Sequence, residues 1–380
     1  MDSNSGRPVR ATVLSAGAWS LDSHLPTLAA DPRVELVGAS SLRADIRAAI
    51  AARYRIDVVE DWQDCLAQQP DVVVVSSPPV AHVEQVTAAL ESGAHVLVEK
   101  PFALTAADAD TMVTAAGLHD RALLVGYGWS STPIFLRARQ WVADGRIGGL
   151  EFVQSHLAVP IRDILAGGGD GGWGAAIASD PRTYSDPAVS GGGARAVSMS
   201  HQLGLVCWLA DQRFAEVAAA LWPSDGIESH VAATATLSGG TLVSLACGAS
   251  HPVDTRPHWE FTLYGSQGQI ELDTIAGILT CTDRDGVVRD TGAGASAAYD
   301  SGGPTTALVD TALGAAVPTG MSGDLAAHVV AVTEALAVSH MTGVRHPVGE
   351  RGGALEQTEP SVEVGQVAKA TPIGDPGHRP

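Results

Sequence analysis

The chain has 380 residues, enough for two domains, and only 17% of them are charged. Its formal net charge of −19 would repel a phosphate backbone, so we expect no nucleic-acid partner. No apolar run approaches the roughly 20 residues that cross a membrane, and the N-terminus lacks an apolar signal segment, so we expect a cytoplasmic protein with no membrane partner. The four cysteines are scattered and form no CxxC pair, which indicates neither a metal site nor a disulfide framework.

The first predicted strand, 9–14, leads into a turn of small residues and then a predicted helix. In this context the N–H groups at the start of the helix face the pyrophosphate of a dinucleotide. The candidate contacts are Ser15, Gly17, Ala18 and Trp19. Only one of the three glycines of the usual fingerprint is present, so a generic strand-to-helix turn is the alternative.

The second predicted strand, 34–39, ends in two hydroxyl side chains and a cation, Ser40, Ser41 and Arg43. An NAD-binding unit usually has an acid here for the ribose 2′-hydroxyl, and none is present. Two hydroxyls and a guanidinium suit a 2′-phosphate instead, so the sequence favours NADP over NAD. The serines could also cap the helix predicted over about 43–54, and both roles can hold together.

A loop with two adjacent prolines follows the predicted strand 71–75. The strand is a run of valines, typical of a parallel sheet buried on both faces. Because proline cannot continue a strand ladder, Ser77 and Pro78 are expected to shape a loop over the edge of the cofactor. A helix is predicted over about 81–92, ending at Gly93.

Three apolar residues, 96–98, then predict a short buried strand that delivers Glu99, Lys100 and Pro101 to its carboxyl end. Lys100 is one of two lysines in the chain, against 21 arginines. An amine loses its proton near neutral pH when desolvated, whereas a guanidinium does not. Lys100 is therefore a candidate for acid/base chemistry, and the alternative is a strand-end lysine that extends into water.

The strand pattern changes after a last apolar strand at 122–127. Longer strands with period-two alternation follow, and two pairs read as hairpins, 230–237 with 241–247 and 259–264 with 269–273. They predict a mainly antiparallel sheet with one face covered.

The patterns divide the chain into a flexible N-terminus (1–8), a dinucleotide-binding domain (9–127), a substrate and oligomerisation domain (128–348) and a disordered tail (349–380). A glycine-rich insertion at 161–193 is long enough to indicate a functional or mobile loop. It contains Trp173 and Tyr184, candidate substrate contacts for which surface packing is the alternative. A helix containing His201 follows, and another is predicted over 325–340.

The glutamate-lysine-proline motif and its surroundings resemble the glucose-fructose oxidoreductase / inositol dehydrogenase family (Gfo/Idh/MocA). The other matching pieces are Ala89-Leu90 with Gly93-Ala94-His95, Ser77-Pro78 with His82, Asp144–Gly148, Ser190–Gly193 leading to His201, and Tyr264–Gly268. The resemblance covers roughly residues 9–348. It implies a Rossmann domain, a C-terminal α/β domain whose open sheet mediates homodimers or homotetramers, and a nicotinamide cofactor in the cleft between them.

Carried over residue by residue, the resemblance implies that Lys100 hydrogen-bonds the reacting oxygen and that His201 is the catalytic histidine. Glu99 and Pro101 match positions that shape the nicotinamide end of the site, and Ser77, Pro78 and His82 match the cofactor loop. A histidine on an apolar helix is also commonly a packed core residue, which is the alternative for His201.

The chain departs from the family pattern around His201. Positions that commonly carry aspartate, four residues before and three after the histidine, hold Val197 and Gly204. An acid at i−4 on the same helix face would hold the imidazole tautomer, and valine cannot. Candidate substitutes are Tyr184, Asp186 and Ser200, with Asp186 better explained as a loop cap; we include Tyr184 among the catalytic candidates.

These observations favour an NADP(H)-dependent oxidoreductase that transfers a hydride between nicotinamide and a secondary alcohol or ketone of a sugar, cyclitol or related polar metabolite. Two alternatives stay open. Val197 and the incomplete glycine turn suit a catalytically weak nucleotide-binding sensor or partner subunit. A lyase, epimerase or glycosidase that uses bound nicotinamide transiently is also compatible with this fold, because chemistry is set by the site and not by the fold.

Overall fold

The structure, a computed structural model, describes residues 6–168, 180–224, 226–252, 255–291 and 299–349. Trp173, positions 1–5 of the predicted N-terminus and positions 350–380 of the predicted tail lie outside the described residues. The strands are β1 (Val9–Leu14), β2 (Val34–Ser40), β3 (Val58–Val59), β4 (Val72–Val75), β5 (His95–Val98), β6 (Leu123–Val125), β7 (Leu150–Ala158), β8 (Phe214–Trp222), β9 (His230–Leu237), β10 (Leu242–Gly248), β11 (His258–Gly265), β12 (Gly268–Asp273), β13 (Ile278–Asp283), β14 (Gly286–Thr291) and β15 (His346–Pro347).

Helices connect and cover these strands. They are α1 (Ala18–Asp22), α2 (His24–Ala30), α3 (Ala44–Tyr54), α4 (Gln63–Leu66), α5 (His82–Glu91), α6 (Ala106–Leu118), α7 (Pro133–Ala143), α8 (Arg162–Leu165), α9 (Arg182–Ser185), α10 (Pro187–Ser190), α11 (Ala194–Val197), α12 (Met199–Ala210), α13 (Gly303–Ala312) and α14 (Gly323–Thr342). Single 3₁₀ turns occur at Pro79–Ala81, Gly128–Ser131 and Thr319–Met321.

The first sheet is parallel, with the strand order β3-β2-β1-β4-β5-β6. All four valines of β4 are fully buried, as expected for a strand covered on both faces. Leu14, Val75 and Val98 are in register at the carboxyl ends of β1, β4 and β5. The residues that follow these three strands therefore meet at one edge, and the predicted Rossmann sheet is confirmed.

The second sheet has the order β14-β13-β12-β11-β7-β10-β9-β8-β15 and is mostly antiparallel. Both predicted hairpins are present, as β9 with β10 and β11 with β12. Among the described strands, the pairing of β7 with β10 is the parallel exception. Strands β8, β13 and β14 and helix α13 were not predicted from the sequence. The α/β class with two sheets is confirmed.

Helix α13 belongs to the predicted second domain by sequence but packs on the first sheet. Its Leu308 and Val309 are buried in one apolar cluster with Val9, Leu97 and Leu124. The chain thus returns to the first sheet after completing β14.

Helix α14 is long and apolar enough to span a membrane, the one such segment among the described residues. More than half of its apolar window is buried within the fold. It contacts α6 and α12 as well as β8, so it serves here as a core helix that joins the two halves.

Candidate active site

Glu99 lies directly after β5 and is held by three hydrogen-bond donors. Its Oε1 accepts from Trp19 Nε1 at 2.9 Å and faces His24 Nε2 at 3.0 Å, while Oε2 accepts from the backbone N–H of Lys100 at 3.1 Å. Burial opposes ionisation, but the hydrogen bond from His24 and nearby positive charge outweigh it, so the pKa of Glu99 lies below its ordinary value. The site therefore contains a fixed buried anion.

Gly126, which follows β6, lets the backbone approach this carboxylate closely. A Cβ at Gly126 would lie 2.7 Å from Glu99 Oε1, closer than carbon and oxygen tolerate. A side chain at this position would therefore displace the Glu99 carboxylate from its hydrogen bonds.

Lys100 is the next residue on the same edge, and it makes no side-chain hydrogen bond or ion pair to the described residues. Burial lowers the pKa of its ammonium, and the charge of Glu99 acts in the opposite direction without cancelling the effect. A desolvated amine of this kind exchanges a proton nearer neutral pH than an exposed lysine does. The amine is thus suited to proton transfer or to stabilising a developing oxyanion.

His201 lies in the first turn of α12 and near Lys100. Burial, assisted by the Lys100 ammonium and opposed by Glu99, lowers the pKa of its imidazole to about 3. The ring is therefore neutral at neutral pH, and its buried Nδ1 has no hydrogen-bond partner in the described part of the chain. His201 can donate or accept a hydrogen bond, but it does not supply a charged acid.

The predicted helix face shared by Val197 and His201 is interrupted. Helix α11 ends at Val197, Ser198 has φ −113° and ψ −46°, and α12 begins at Met199. The two residues therefore lie on different helices rather than one turn apart on the same helix. That expectation was wrong, because local periodicity does not reveal a break of one residue.

Aromatic rings surround the imidazole. The ring centroid of Tyr127 lies 5.6 Å from that of His201, and the ring centroid of Tyr299 lies 5.9 Å from it.

Tyr299 also packs against Trp19, with 5.9 Å between ring centroids, and against Trp129, with 5.2 Å. Its hydroxyl donates to Gly126 O at 3.0 Å and accepts from Gly128 N at 3.2 Å. Tyr299 thus fixes the crossover that leads from β6 to α7.

The insertion brings Tyr184 to the same region. Burial and the charge of Glu99 raise the pKa of Tyr184, so its phenol stays protonated. Asp186 instead caps α10, because its Oδ1 accepts from Ala188 N at 3.0 Å. Of the two candidate substitutes on this segment, the phenol of Tyr184 is the one within the field of Glu99.

The predicted dinucleotide turn fits a pyrophosphate. Ser15 adopts φ 54°, a left-handed conformation that glycine usually supplies, and it is held by hydrogen bonds with Ser40 and Gln85. A Cβ at Gly17 would meet nothing within 4 Å, and helix α1 begins there at Ala18 without a side-chain cap. Open space and uncapped N–H groups suit an anion. Trp19 points to Glu99 rather than into this space.

The three residues proposed for a 2′-phosphate are arranged differently from one another. Ser40 Oγ accepts from Ser15 N at 2.9 Å, and Ser41 Oγ donates to Ala16 O at 2.8 Å. Both hydroxyls are buried and used inside the turn. The Arg43 side chain is 38% exposed and pairs with Asp45, with 3.1 Å between Nε and Oδ1. Arg43 is thus the member of the trio that a ligand can reach.

The loop after β4 is fixed by His82. The imidazole is fully buried, with Nδ1 2.9 Å from Phe102 O and Nε2 2.8 Å from Ser77 O. His82 therefore holds the backbone at Ser77 and Phe102 together, and both of its ring nitrogens are used within the protein. The Ser77 hydroxyl is buried and has no hydrogen-bond partner among the residues that the structure describes, while Pro78 leads into the 3₁₀ turn.

Sequence reasoning missed His24, Tyr299 and Thr305. His24 had one available signal, a histidine among apolar residues directly after the glycine turn. Tyr299 and Thr305 follow a segment without recognisable strand or motif patterns. Thr305 is 281 residues from its partner His24, and Tyr299 is 173 residues from its partner Gly126.

Comparison with known proteins agrees with this geometry. Residues 11–127 match the "Oxidoreductase family, NAD-binding Rossmann fold" description, and residues 135–271 match the "GFO/IDH/MocA C-terminal domain". The chain belongs to the GFO/IDH/MocA family. The predicted family assignment is therefore confirmed.

Curated relatives of this GFO/IDH/MocA protein include several sugar oxidoreductases. The D-xylose 1-dehydrogenase [NADP(+)] of Haloarcula marismortui is 29% identical over 42% of this chain and 45% of that protein. A dTDP-3,4-didehydro-2,6-dideoxy-alpha-D-glucose 3-reductase of Streptomyces antibioticus is 26% identical over 70% of this chain and 75% of that protein. For three of the curated relatives, the one from Haloarcula marismortui among them, the matched region covers less than half of the relative's length.

Solved structures share the whole fold with this GFO/IDH/MocA protein. An oxidoreductase domain protein from Kribbella flavida has a TM-score of 0.77 at 21% identity, covering 90% of this chain and 100% of that chain. A levoglucosan dehydrogenase in complex with NADH and levoglucosan has a TM-score of 0.76 at 16% identity, with the same coverage. At such identities the likeness establishes the fold alone.

Proposed function

We propose that this protein is an NADP(H)-dependent oxidoreductase that acts on a secondary alcohol or ketone of a sugar, cyclitol or related polar metabolite. The observation that carries the proposal is the position of Lys100, a desolvated amine at the carboxyl edge of a parallel nucleotide-binding sheet, beside Glu99 and His201. Relatives described as sugar dehydrogenases and reductases support the substrate class.

The residues of the site divide the chemistry between them. When bound, the nicotinamide would accept or supply the hydride. Lys100 Nζ takes the hydroxyl proton of the alcohol or donates a proton to the forming alkoxide, a role worth about 10²- to 10⁴-fold in rate. Neutral His201 orients the same oxygen by a hydrogen bond, and Tyr184 supplies a further protonated donor from the insertion.

Residues at the carboxyl edge of the first sheet would hold the rest of the cofactor. Ser15, Gly17 and Ala18 would hold the pyrophosphate at the start of α1, and the loop at Ser77 and Pro78 would border the nicotinamide half. The Ser77 hydroxyl, which has no partner within the described ranges, would offer a hydrogen bond there.

The proposed function is tested by following absorbance at the NADPH band with a panel of free sugars and polyols. Formation of one NADPH per alcohol oxidised is the expected result. Substrate conversion with bound nicotinamide and no net absorbance change would indicate transient oxidation by a lyase, epimerase or glycosidase. Nucleotide binding without turnover of any panel member would favour a sensor or partner subunit.

Replacement of Arg43 by alanine should reduce the preference for NADP. Loss of the exposed guanidinium removes the charge that a 2′-phosphate would meet, so NADPH should bind at least about tenfold more weakly, roughly 1.4 kcal/mol, with NADH unaffected. Fluorescence titration with both nucleotides measures this, and Arg53→Ala, an exposed arginine on the same helix, is the control. Equal losses for both nucleotides would contradict the NADP assignment.

We also propose that the protein assembles as a homodimer or homotetramer through the open face of the second sheet. Phe152, Leu242 and Tyr264 are in register on neighbouring strands and face away from the core, and the Phe152 and Tyr264 rings stack at 5.7 Å. Such a contiguous apolar row is typical of an interface. Light scattering that gives a monomer mass would contradict this assembly.

A further inference from the structure

A buried chain of polar groups extends from Glu99 away from the site into the protein. His24, the first residue of α2, has its imidazole fully buried between Glu99 and Thr305. Its Nε2 lies 3.0 Å from Glu99 Oε1 and its Nδ1 lies 2.8 Å from Thr305 Oγ1. Thr305 is itself fully buried, on α13. Three elements distant in sequence therefore meet behind the acid.

The proton positions in this row of hydrogen-bonded groups follow from which atoms can donate and which can accept. Trp19 Nε1 and Lys100 N can only donate, so both oxygens of Glu99 act as acceptors. The carboxylate accepts again from His24, so the proton of the ring lies on Nε2. The hydroxyl of Thr305 either donates to Nδ1 or accepts from it, and so fits the neutral ring or the charged one.

Glu99 in turn sits beside the amine. Its negative charge favours the protonated form of Lys100 and opposes the effect of burial. Any group that holds Glu99 ionised therefore also limits how far the proton affinity of Lys100 falls. Without His24, Glu99 would keep two donors and lose the most buried one.

We propose that His24 is a positioning residue: it holds Glu99 as a carboxylate, and through Glu99 it sets the proton affinity of Lys100. The hydrogen bonds of His24 among the described residues go to Glu99 and Thr305, so its effect on Lys100 passes through the acid. The role of His24 in catalysis rests on the proposed function, whereas the proposal itself concerns the protonation of Lys100.

Four other titratable groups interact with Glu99 or Lys100, and their protonation must stay constant during the measurement. The charge of Glu99 shifts the pKa of three of these groups, which are Tyr184 on α9, Tyr299 before α13 and His82 on α5. The charges of both Glu99 and Lys100 act on the pKa of His201 on α12. Burial raises the pKa of both tyrosines and lowers that of both histidines, so these four groups stay neutral around neutral pH. Titration of Lys100 is therefore not confused with theirs.

The chain allows this ionisation to be measured directly, because Lys100 and Lys369 are its only lysines. In protein labelled with ¹³C at lysine Cε and carrying Lys369→Arg, a single resonance reports the protonation of Lys100. We expect His24→Leu to lower the pKa of Lys100 by about one unit. His24→Gln, whose amide N–H replaces the Nε2 donor, should leave it near the wild-type value.

Two further variants complete the test. Glu99→Gln should lower the pKa of Lys100 by as much as His24→Leu does, and the double variant should show no additional shift. His119→Leu, an exposed histidine at the end of α6, is the control and should shift nothing. His24→Met replaces His24→Leu if the latter does not fold.

The outcomes separate the two proposals. If the apolar variant leaves the pKa of Lys100 unchanged, His24 is only structural and the inference is overturned. If the shift occurs and turnover exists, the acid limb of the pH profile of kcat/KM should move to lower pH by the same amount. If the shift occurs but no alcohol is oxidised by the wild type, the proposed function fails while this inference stands.

Discussion

Replacement of Lys100 by methionine should reduce turnover by about 10²- to 10⁴-fold and leave cofactor binding nearly intact. Methionine keeps the length and apolar stem of the side chain and removes the amine. The site then lacks its proton-exchanging group, because His201 is neutral with a pKa of about 3 and its Nδ1 has no hydrogen-bond partner among the described residues. Steady-state kinetics and NADPH titration of the same preparation measure the two quantities.

The other lysine of the chain provides a matched control. Lys369→Met removes the same chemical group outside the described residues and should retain full turnover. Substantial turnover by Lys100→Met would contradict the assignment of the amine. A loss of NADPH affinity equal to the loss of turnover would instead place Lys100 in cofactor binding.

Replacement of Phe135 by alanine should lower the free energy of unfolding by about 3–5 kcal/mol. Phe135 on α7 is fully buried, and its ring packs edge-on against Phe261 at 5.5 Å and against Trp129 at 6.3 Å. Its removal opens a cavity beneath Trp129, the ring against which Tyr299 rests. Urea denaturation measures the loss, which is a large part of the stability of an ordinary domain.

The adjacent residue on the helix tests whether the effect comes from burial. Leu136 is 49% exposed, so Leu136→Ala should change the free energy of unfolding by less than about 0.5 kcal/mol. Because alanine favours the helix more than either original residue does, similar losses for the two variants would contradict the assignment of the effect to the burial of Phe135.

Features set by local patterns could be predicted from the sequence. The valine run of β4 and the strand before Lys100 indicated a parallel sheet, and alternation with glycine turns indicated the hairpins. Since residues that follow parallel strands meet at one edge, the positions of Ser15, Ser77 and Lys100 followed from the strand assignment.

Features that depend on long-range contacts could not be predicted. His24 and Thr305 are separated by 281 residues and meet only because α13 returns to the first sheet. Ser40 and Ser41 look like free phosphate ligands in the sequence, but the turn uses both hydroxyls. The break at Ser198 depends on how α11 and α12 pack, which residue spacing does not encode.

The return of α13 to the first sheet has a consequence for folding. Leu308 and Val309 complete a core whose other members come from the first 124 residues, so the nucleotide-binding half is finished only after β14 has been synthesised. During translation this half emerges with part of its apolar surface uncovered. The two sheets should therefore reach their native state in one concerted step rather than one after the other along the ribosome.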